Sequence, residues 1–349
     1  MKLTFRWFGE QDAIPLAHIA QIPGIGGVVT SLMDIPAGEV WAPERVKAMR
    51  DAVAGAGLSC EVIESVNVHE SIKLGTSDRD RRIENYVATL RNLHEIGVKC
   101  VCYNFMPVLD WARSELYHTL PDGSDTMYFS REYFKTATPS QLAERYAEQC
   151  GGIALPGWEP ERLRYINGTI ERYKNISREQ LRANAKYFLD AVIPYAERYD
   201  VKLAVHPDDP PFEIFGLHRL VNNAESIEKW LALNNSPYNG LTLCTGSLGC
   251  DASNDICEII RHSADRIHFA HIRNLKLLPN GDFFETSHPT GCGSLNMPEI
   301  VRTLKESGFD GCIRPDHGRM IWGESGRPGY GLFDRALGLA YLNGLWEAI

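Results

Sequence analysis

Residues 241–249 read LTLCTGSLG: an apolar run without polar alternation, then a cysteine, then a turn bounded by glycines. An unalternating run of this length suits a parallel strand covered on both faces. The same unit recurs as CVCYNF (100–105), KLAVHPDDPP (202–211), IHFAHIRN (267–274) and CIRPDHG (312–318). Working outward, the chain offers strands at 4–8, 27–32, 59–65, 100–105, 202–206, 241–245, 267–273 and 312–316, with segments of helical period between them. Val46, Met49 and Val53 follow Pro43 on one helical stripe, and Ile83, Val87, Leu90 and Leu93 follow Ser77, which is placed to cap a helix. Eight evenly spaced strands separated by helices favour a closed (β/α)8 TIM barrel of the α/β class over an open, doubly wound sheet. No solenoid repeat interrupts the pattern.

Composition agrees with one large folded unit. The 349 residues are 44% apolar, 23% charged and 10% aromatic, and a barrel of that length is a single domain over 1–349. A net charge of −9, with no basic run, argues against nucleic acid or an anionic membrane as partner. The start, MKLTFRWFGEQD, is broken by Arg6, Glu10 and Asp12 where a signal peptide needs continuous apolar residues, so a cytoplasmic location is expected. Nine cysteines without a Cys-x-x-Cys pair fit a reducing compartment, and most read as small buried hydrophobes.

One stretch breaks the rhythm. From 107 to 175 no good strand is visible, but Trp111, Tyr117, Tyr128, Phe129, Tyr133, Phe134, Tyr146 and Trp158 crowd together with a helix predicted over 140–150. This reads as a helical, aromatic-rich insertion after strand four, rising from the rim where barrel active sites sit, as a lid or as an oligomer contact. The helix over 177–199 then resumes the pattern, with Leu181, Phe188, Val192 and Tyr195 on one face and Pro194 bending it.

Side chains at the C-terminal strand ends of a barrel converge, so the last residue of each strand is informative. Strand five ends in His206, strand six in Cys244, strand seven offers His271 and strand eight ends in Asp316, at separations of 38, 27 and 45 residues. A lone histidine is more often a core residue bonded to a carbonyl, and a lone cysteine is packing. Four coinciding on one rim would close around one divalent ion. His268 falls on the other face of strand seven, while His18, His94, His218 and His262 fall on helices or their flanks. His69 and His288 follow strand ends and could touch a substrate or simply cap a loop. His317 projects away from Asp316 if the chain is extended there, which frees it for acid or base work, and Tyr330 in ESGRPGYG could fold back over the site or merely anchor its loop. Arg273, Arg314 and Arg319, with Lys276 alongside, could clamp a substrate carboxylate, or could balance Asp208, Asp209 and Asp316. The glycine-rich IPGIGGVV precedes its strand and has Val29 where a third glycine belongs, so it is no dinucleotide signature.

The strings YNFMPVLDW (103–111), AVHPDDPP (204–211), CTGSLG, FAHIRN (269–274) and RPDHGR (314–319), followed by RPGYGLFDRALG, resemble the mannonate dehydratase family, and the likeness spans nearly the whole chain. The resemblance implies a barrel lyase that converts D-mannonate to 2-dehydro-3-deoxy-D-gluconate and water in hexuronate (glucuronate) catabolism, with Mn²⁺ or Fe²⁺. It implies His206, Cys244, His271 and Asp316 as ligands, with Asp316 also counted among the catalytic groups, and His317 and Tyr330 as acid and base in either order. Arg273, Arg314, Arg319 and His288 are then the candidates for holding a sugar acid, and a homodimer or higher homo-oligomer is expected. From the donors alone a cysteine and two histidines would point to Zn²⁺, whereas two histidines with a carboxylate suit Fe²⁺. Two other readings share the strand-end chemistry: a metal-dependent sugar isomerase or epimerase, and a barrel that binds sugar acids without turnover.

Overall fold

The computed structural model describes residues 1–150, 153, 155, 158 and 165–349. The apolar runs form β1 (Lys2–Arg6), β2 (Ile25–Thr30), β3 (Ser59–Glu64), β4 (Cys100–Tyr103), β7 (Lys202–Val205), β8 (Asn239–Cys244), β9 (Ile267–His271) and β12 (Cys312–Arg314). These eight pair in parallel, each with its sequence neighbour, and β12 closes onto β1. All eight expected strands are present, each ending up to two residues before the expected limit, so His206 and Asp316 lie just past their strands on the rim. Register sets the rim's layers: Cys244 stands beside His271, and His271 beside Arg314.

Alternation along each strand separates two apolar sets. Val29, Val62, Cys100, Cys102, Ala204, Phe269 and Cys312 fill the barrel interior, apart from the larger core between strands and helices. Burial raises the thiols of Cys100 and Cys102, and pushes Cys312 up to about 11, so these cysteines are inert filling. His268 faces outward as expected, lying against Gly240, where any Cβ would meet its imidazole at 2.2 Å.

Helices Pro43–Gly55, Arg79–His94, Arg178–Tyr199, Ala224–Leu231, Ile256–Ser263, Met297–Glu306 and Phe333–Ala348 follow barrel strands. Their buried residues follow the expected stripes, including Val46, Met49 and Val53, although Val87 is only half-buried, and two further expectations fail. Tyr195 is exposed at 41% and packs beside Tyr199 instead of joining Leu181, Phe188 and Val192. Ser77 does not cap: Asp78 takes that position, and its carboxylate accepts from the Ser71 and Thr76 hydroxyls.

The 107–175 insertion is less helical than expected. Glu115–Thr119 (β5) and Asp125–Phe129 (β6) form a hairpin, which joins Leu275–Leu277 (β10) and Phe283–Glu285 (β11) from the loop after β9. The result is a four-stranded antiparallel sheet, ordered β10-β11-β6-β5, standing over the rim. The remainder holds helices Arg131–Thr136, Pro139–Cys150 and Ile166–Tyr173, while 151–152, 154, 156–157 and 159–164 lie outside the described residues. Trp111, Tyr146 and Trp158 are buried and pack ring against ring, which makes this segment part of the wall of the site.

Candidate active site

Four strand ends deliver the expected donors to one place. His206 Nε2 lies 3.1 Å from His271 Nδ1, and the donor atoms of His206, Cys244 and His271 all fall within 4.8 Å of one another. Asp316 completes the group, with Oδ1 3.7 Å from His271 Nδ1 and Oδ2 3.5 Å from Cys244 Sγ. Local structure aims each one. His206 Nδ1 donates to the Pro207 carbonyl at 2.7 Å, which leaves Nε2 as a bare lone pair facing the cluster. His271 Nε2 sits 3.2 Å from Glu64 Oε2 and 3.0 Å from Arg314 Nε, which donates toward it, and these two contacts orient the ring so that Nδ1 faces His206. The Ser247 N–H donates to Cys244 Sγ at 3.3 Å, where the chain turns into a short helix.

Charged groups surround the cluster, nearly all buried. Arg273 donates to Asp316 at 2.6 Å, to Asp209 at 2.9 Å and to Glu285; Arg113 donates to Asp209 at 2.6 Å and Glu285 at 2.7 Å. Arg314 donates to Glu64 at 2.6 Å and stands 2.9 Å from Asp316. Burial alone would raise these carboxyls, but Arg273 and Arg113 overcome it and hold Glu285 down to about 2. Asp316 is likewise held well below the usual carboxylate range by His317, Arg314, His271 and Arg273 against its burial. Four carboxylates (Glu64, Asp209, Glu285, Asp316) are thus in direct contact with three guanidiniums, with Arg6 in the same cleft and within electrostatic reach of Glu64. Two imidazole nitrogens, a thiol and a carboxylate gathered in a dry site fit one divalent cation.

His317 and Tyr330 meet beside this cluster, with Nε2 2.9 Å from the phenol oxygen. Asp316 adopts φ +59°, so the chain is not extended there and the expected divergence of Asp316 and His317 does not occur. Their side chains approach to 3.8 Å and both line one cleft. Glu285 Oε1 lies 3.4 Å from His317 Nδ1, and Trp111 meets the imidazole edge to face at 6.1 Å. The cleft is walled by Arg6, Ser31, Glu64, Trp111 and Asn104 besides Asp316, His317 and Tyr330.

The expected carboxylate clamp is arranged differently. Arg273 and Arg314 are at the site and pair with the acidic groups, although Arg314 Nη1 keeps no hydrogen-bond partner. Arg319 binds Asp334 at 3.0 Å and Asp122 at 2.9 Å, and Lys276 is exposed on β10. His288 is buried elsewhere, its Nε2 2.9 Å from the Ile272 carbonyl and 3.1 Å from that of Pro315, so it ties the ends of β9 and β12 together. His69 caps the helix Glu70–Leu74 by accepting from the Ser71 N–H at 3.1 Å. Glu64 and Arg6 escaped the sequence reading: they are the last residues of β3 and β1, but the strands expected there ran on to Ser65 and Phe8, and the strand-end rule was applied only to the second half of the barrel. Glu285 belongs to the second sheet and carried no strand-end signal.

A family model described as D-mannonate dehydratase (UxuA) matches residues 1–349. The chain belongs to the D-mannonate dehydratase family. It is 56% identical over 352 residues to a mannonate dehydratase of Thermotoga neapolitana, covering all of this chain and 98% of that one. It is 52% identical over 354 residues to a mannonate dehydratase of Lactococcus lactis, again over the whole chain and 99% of the relative. The crystal structure of mannonate dehydratase from Streptococcus suis superposes with a TM-score of 0.90 at 43% identity, over the whole chain and 94% of that structure. A xylose isomerase domain protein from Planctomyces limnophilus, at 13% identity and a TM-score of 0.58, shares the barrel fold alone. Members of this family are hydro-lyases, and so is this chain.

Proposed function

We propose that the cleft dehydrates D-mannonate to 2-dehydro-3-deoxy-D-gluconate, with His206, Cys244, His271 and Asp316 holding one Mn²⁺ or Fe²⁺ and His317 with Tyr330 moving the protons. The observation that carries this reading is the His317–Tyr330 contact at 2.9 Å beside the clustered donors of His206, Cys244 and His271, with Asp316 adjoining them. Two imidazoles and a carboxylate oxygen suit Fe²⁺, and the oxygen donor suits Mn²⁺ as well. A divalent ion bound there would supply positive charge for substrate oxygens next to the carbon that loses its proton.

The reaction takes a proton from C2 and a hydroxyl from C3, which leaves as water, so one group must accept and another must donate. Burial raises the Tyr330 phenol, so it keeps its proton at neutral pH and suits the donor role toward the departing C3 oxygen. His317, with Nδ1 turned to Glu285, presents Nε2 as the acceptor for the C2 proton. The resulting enol becomes the 2-keto product by proton return to C3. Trp111 and the packed aromatics behind it shield this region from water.

With this reading come a place in hexuronate breakdown, a cytoplasmic location and a homo-oligomeric state. Among the described residues no helix is long and apolar enough to cross a membrane, which is compatible with that location. The test is keto-acid formation from D-mannonate by protein stripped with chelator and reloaded. Activity that returns with about one equivalent of Mn²⁺ or Fe²⁺ supports the assignment; full activity in the stripped protein removes the metal from it.

A further inference from the structure

With Arg273, Arg314 and Arg319 already committed to carboxylates, the substrate's own carboxylate needs another partner. Arg6, the last residue of β1, walls the cleft, is 3% exposed, and has no carboxylate within 4.0 Å among the described residues. Its hydrogen bonds go to two main-chain carbonyls, Trp7 at 3.0 Å and Val29 at 3.3 Å, and to the Ser31 hydroxyl at 3.0 Å. Those three leave two of the five guanidinium N–H groups without a partner. The Phe8 ring backs the guanidinium at 4.4 Å, fixing its plane. A buried cation with no carboxylate in contact is costly: burial pulls Arg6 down to about 10, with Glu64 acting on it only from a distance in the opposite direction.

We propose that Arg6, with the Ser31 hydroxyl beside it, is the subsite that binds the carboxylate of a linear sugar acid, and that it sets which end of the substrate faces the proton-transfer pair. Strand order supports the orientation. β1 is flanked by β2, which leads into Ser31, and by β12, which leads into Asp316 and His317, whereas the other metal donors lie beyond β12 on β9, β8 and after β7. A carboxylate on Arg6 therefore places C2 and C3 toward His317 and Tyr330. The Ser31 hydroxyl, accepting from Arg6, has its own hydrogen to donate to a carboxylate oxygen.

This inference rests on the sugar-acid reading of the cleft, and binding tests it apart from turnover. The probes are D-mannonate and D-mannitol, which differ at C1 by carboxylate against hydroxymethyl, titrated by calorimetry into metal-loaded protein in a His317→Ala background. Adding Arg6→Gln is expected to weaken D-mannonate about 30- to 100-fold, to leave D-mannitol within about threefold, and Arg6→Lys to restore part of the loss. Ser31→Ala, a milder change should Arg6→Gln not fold, is expected to weaken D-mannonate alone by about three- to tenfold. A mannonate-to-mannitol affinity ratio unchanged by these substitutions overturns the proposal. Mannonate binding lost with Arg6→Gln, in a protein whose wild type forms no keto acid, would instead uphold the subsite and remove the dehydratase reading.

Discussion

Tyr330 and His317 come from one loop, yet they reach each other because two backbone features bend the chain back: Asp316 in the left-handed region at φ +59° and the carbonyl of Gly329 accepting from the Gly318 N–H at 2.9 Å. If the phenol delivers the proton to the leaving oxygen, Tyr330→Phe lowers kcat by about 10²- to 10⁴-fold while metal content and KM stay near the wild-type values. Steady-state kinetics with elemental analysis read this directly, and a kcat within a few-fold of wild type would take Tyr330 out of the chemistry. At this scale the sequence was most legible where a rule about strand ends applied: His206, Cys244, His271 and Asp316 needed only the period of the barrel and the chemistry of their side chains. The arginines were less so, because pairing is a three-dimensional property. Arg273 and Arg314 look like substrate clamps until Asp209, Glu285 and Glu64 are seen to occupy them. The divergence expected for Asp316 and His317 assumed an extended chain, and nothing in the letters RPDHG announces a positive φ at an aspartate.

The sheet over the rim is the element that turns a bare barrel into this site. It carries Glu285 to within 3.4 Å of His317, and Asp125 of β6 bonds the main chain of Met320, which pins the segment leading to Tyr330. Gly329 shows how tight that attachment is: it lies at φ +76°, and a Cβ there would stand 2.4 Å from the Met127 Cε of β6. Gly329→Ala should strain the backbone by about 1–2 kcal/mol and displace the phenol. The expected result is a fall in kcat of about tenfold or more at nearly unchanged KM. Unchanged kinetics would show that the glycine does not position Tyr330. This sheet was hidden in the sequence for a physical reason. Its strands are short, half-buried and rich in polar residues, as in ELYHT and DTMYF, so they lack the apolar runs that betray parallel barrel strands. The turn PDGS at 121–124, with Gly123 at φ +81°, was the signal available between them.

At the scale of the molecule the barrel was the most legible feature of all, since eight runs at even spacing leave few other closures, and the hydrophobic filling of its interior follows from alternation. Outward-facing residues follow the same logic with a measurable consequence. His268 is buried against Gly240, where burial and the charge of Lys202 push it down to about 3, below the ordinary 6.5. A depressed histidine favours the fold while it is neutral, so its contribution is complete above pH 6.5 and is lost as pH falls from there toward 3. Each unit in that window removes up to about 1.4 kcal/mol. Urea midpoints of the wild type and of His268→Leu, compared between pH 7.5 and 5, should show the shallower acid loss in the variant, and equal slopes would mean that His268 titrates freely. The central claim concerns the opposite end of the same barrel, where four strand ends meet around one ion. Its most direct test is anomalous diffraction from crystals of the Mn²⁺-loaded protein. One peak per chain in contact with His206 Nε2, Cys244 Sγ, His271 Nδ1 and an Asp316 oxygen is the predicted result; an active enzyme whose metal peak touches none of them would contradict it.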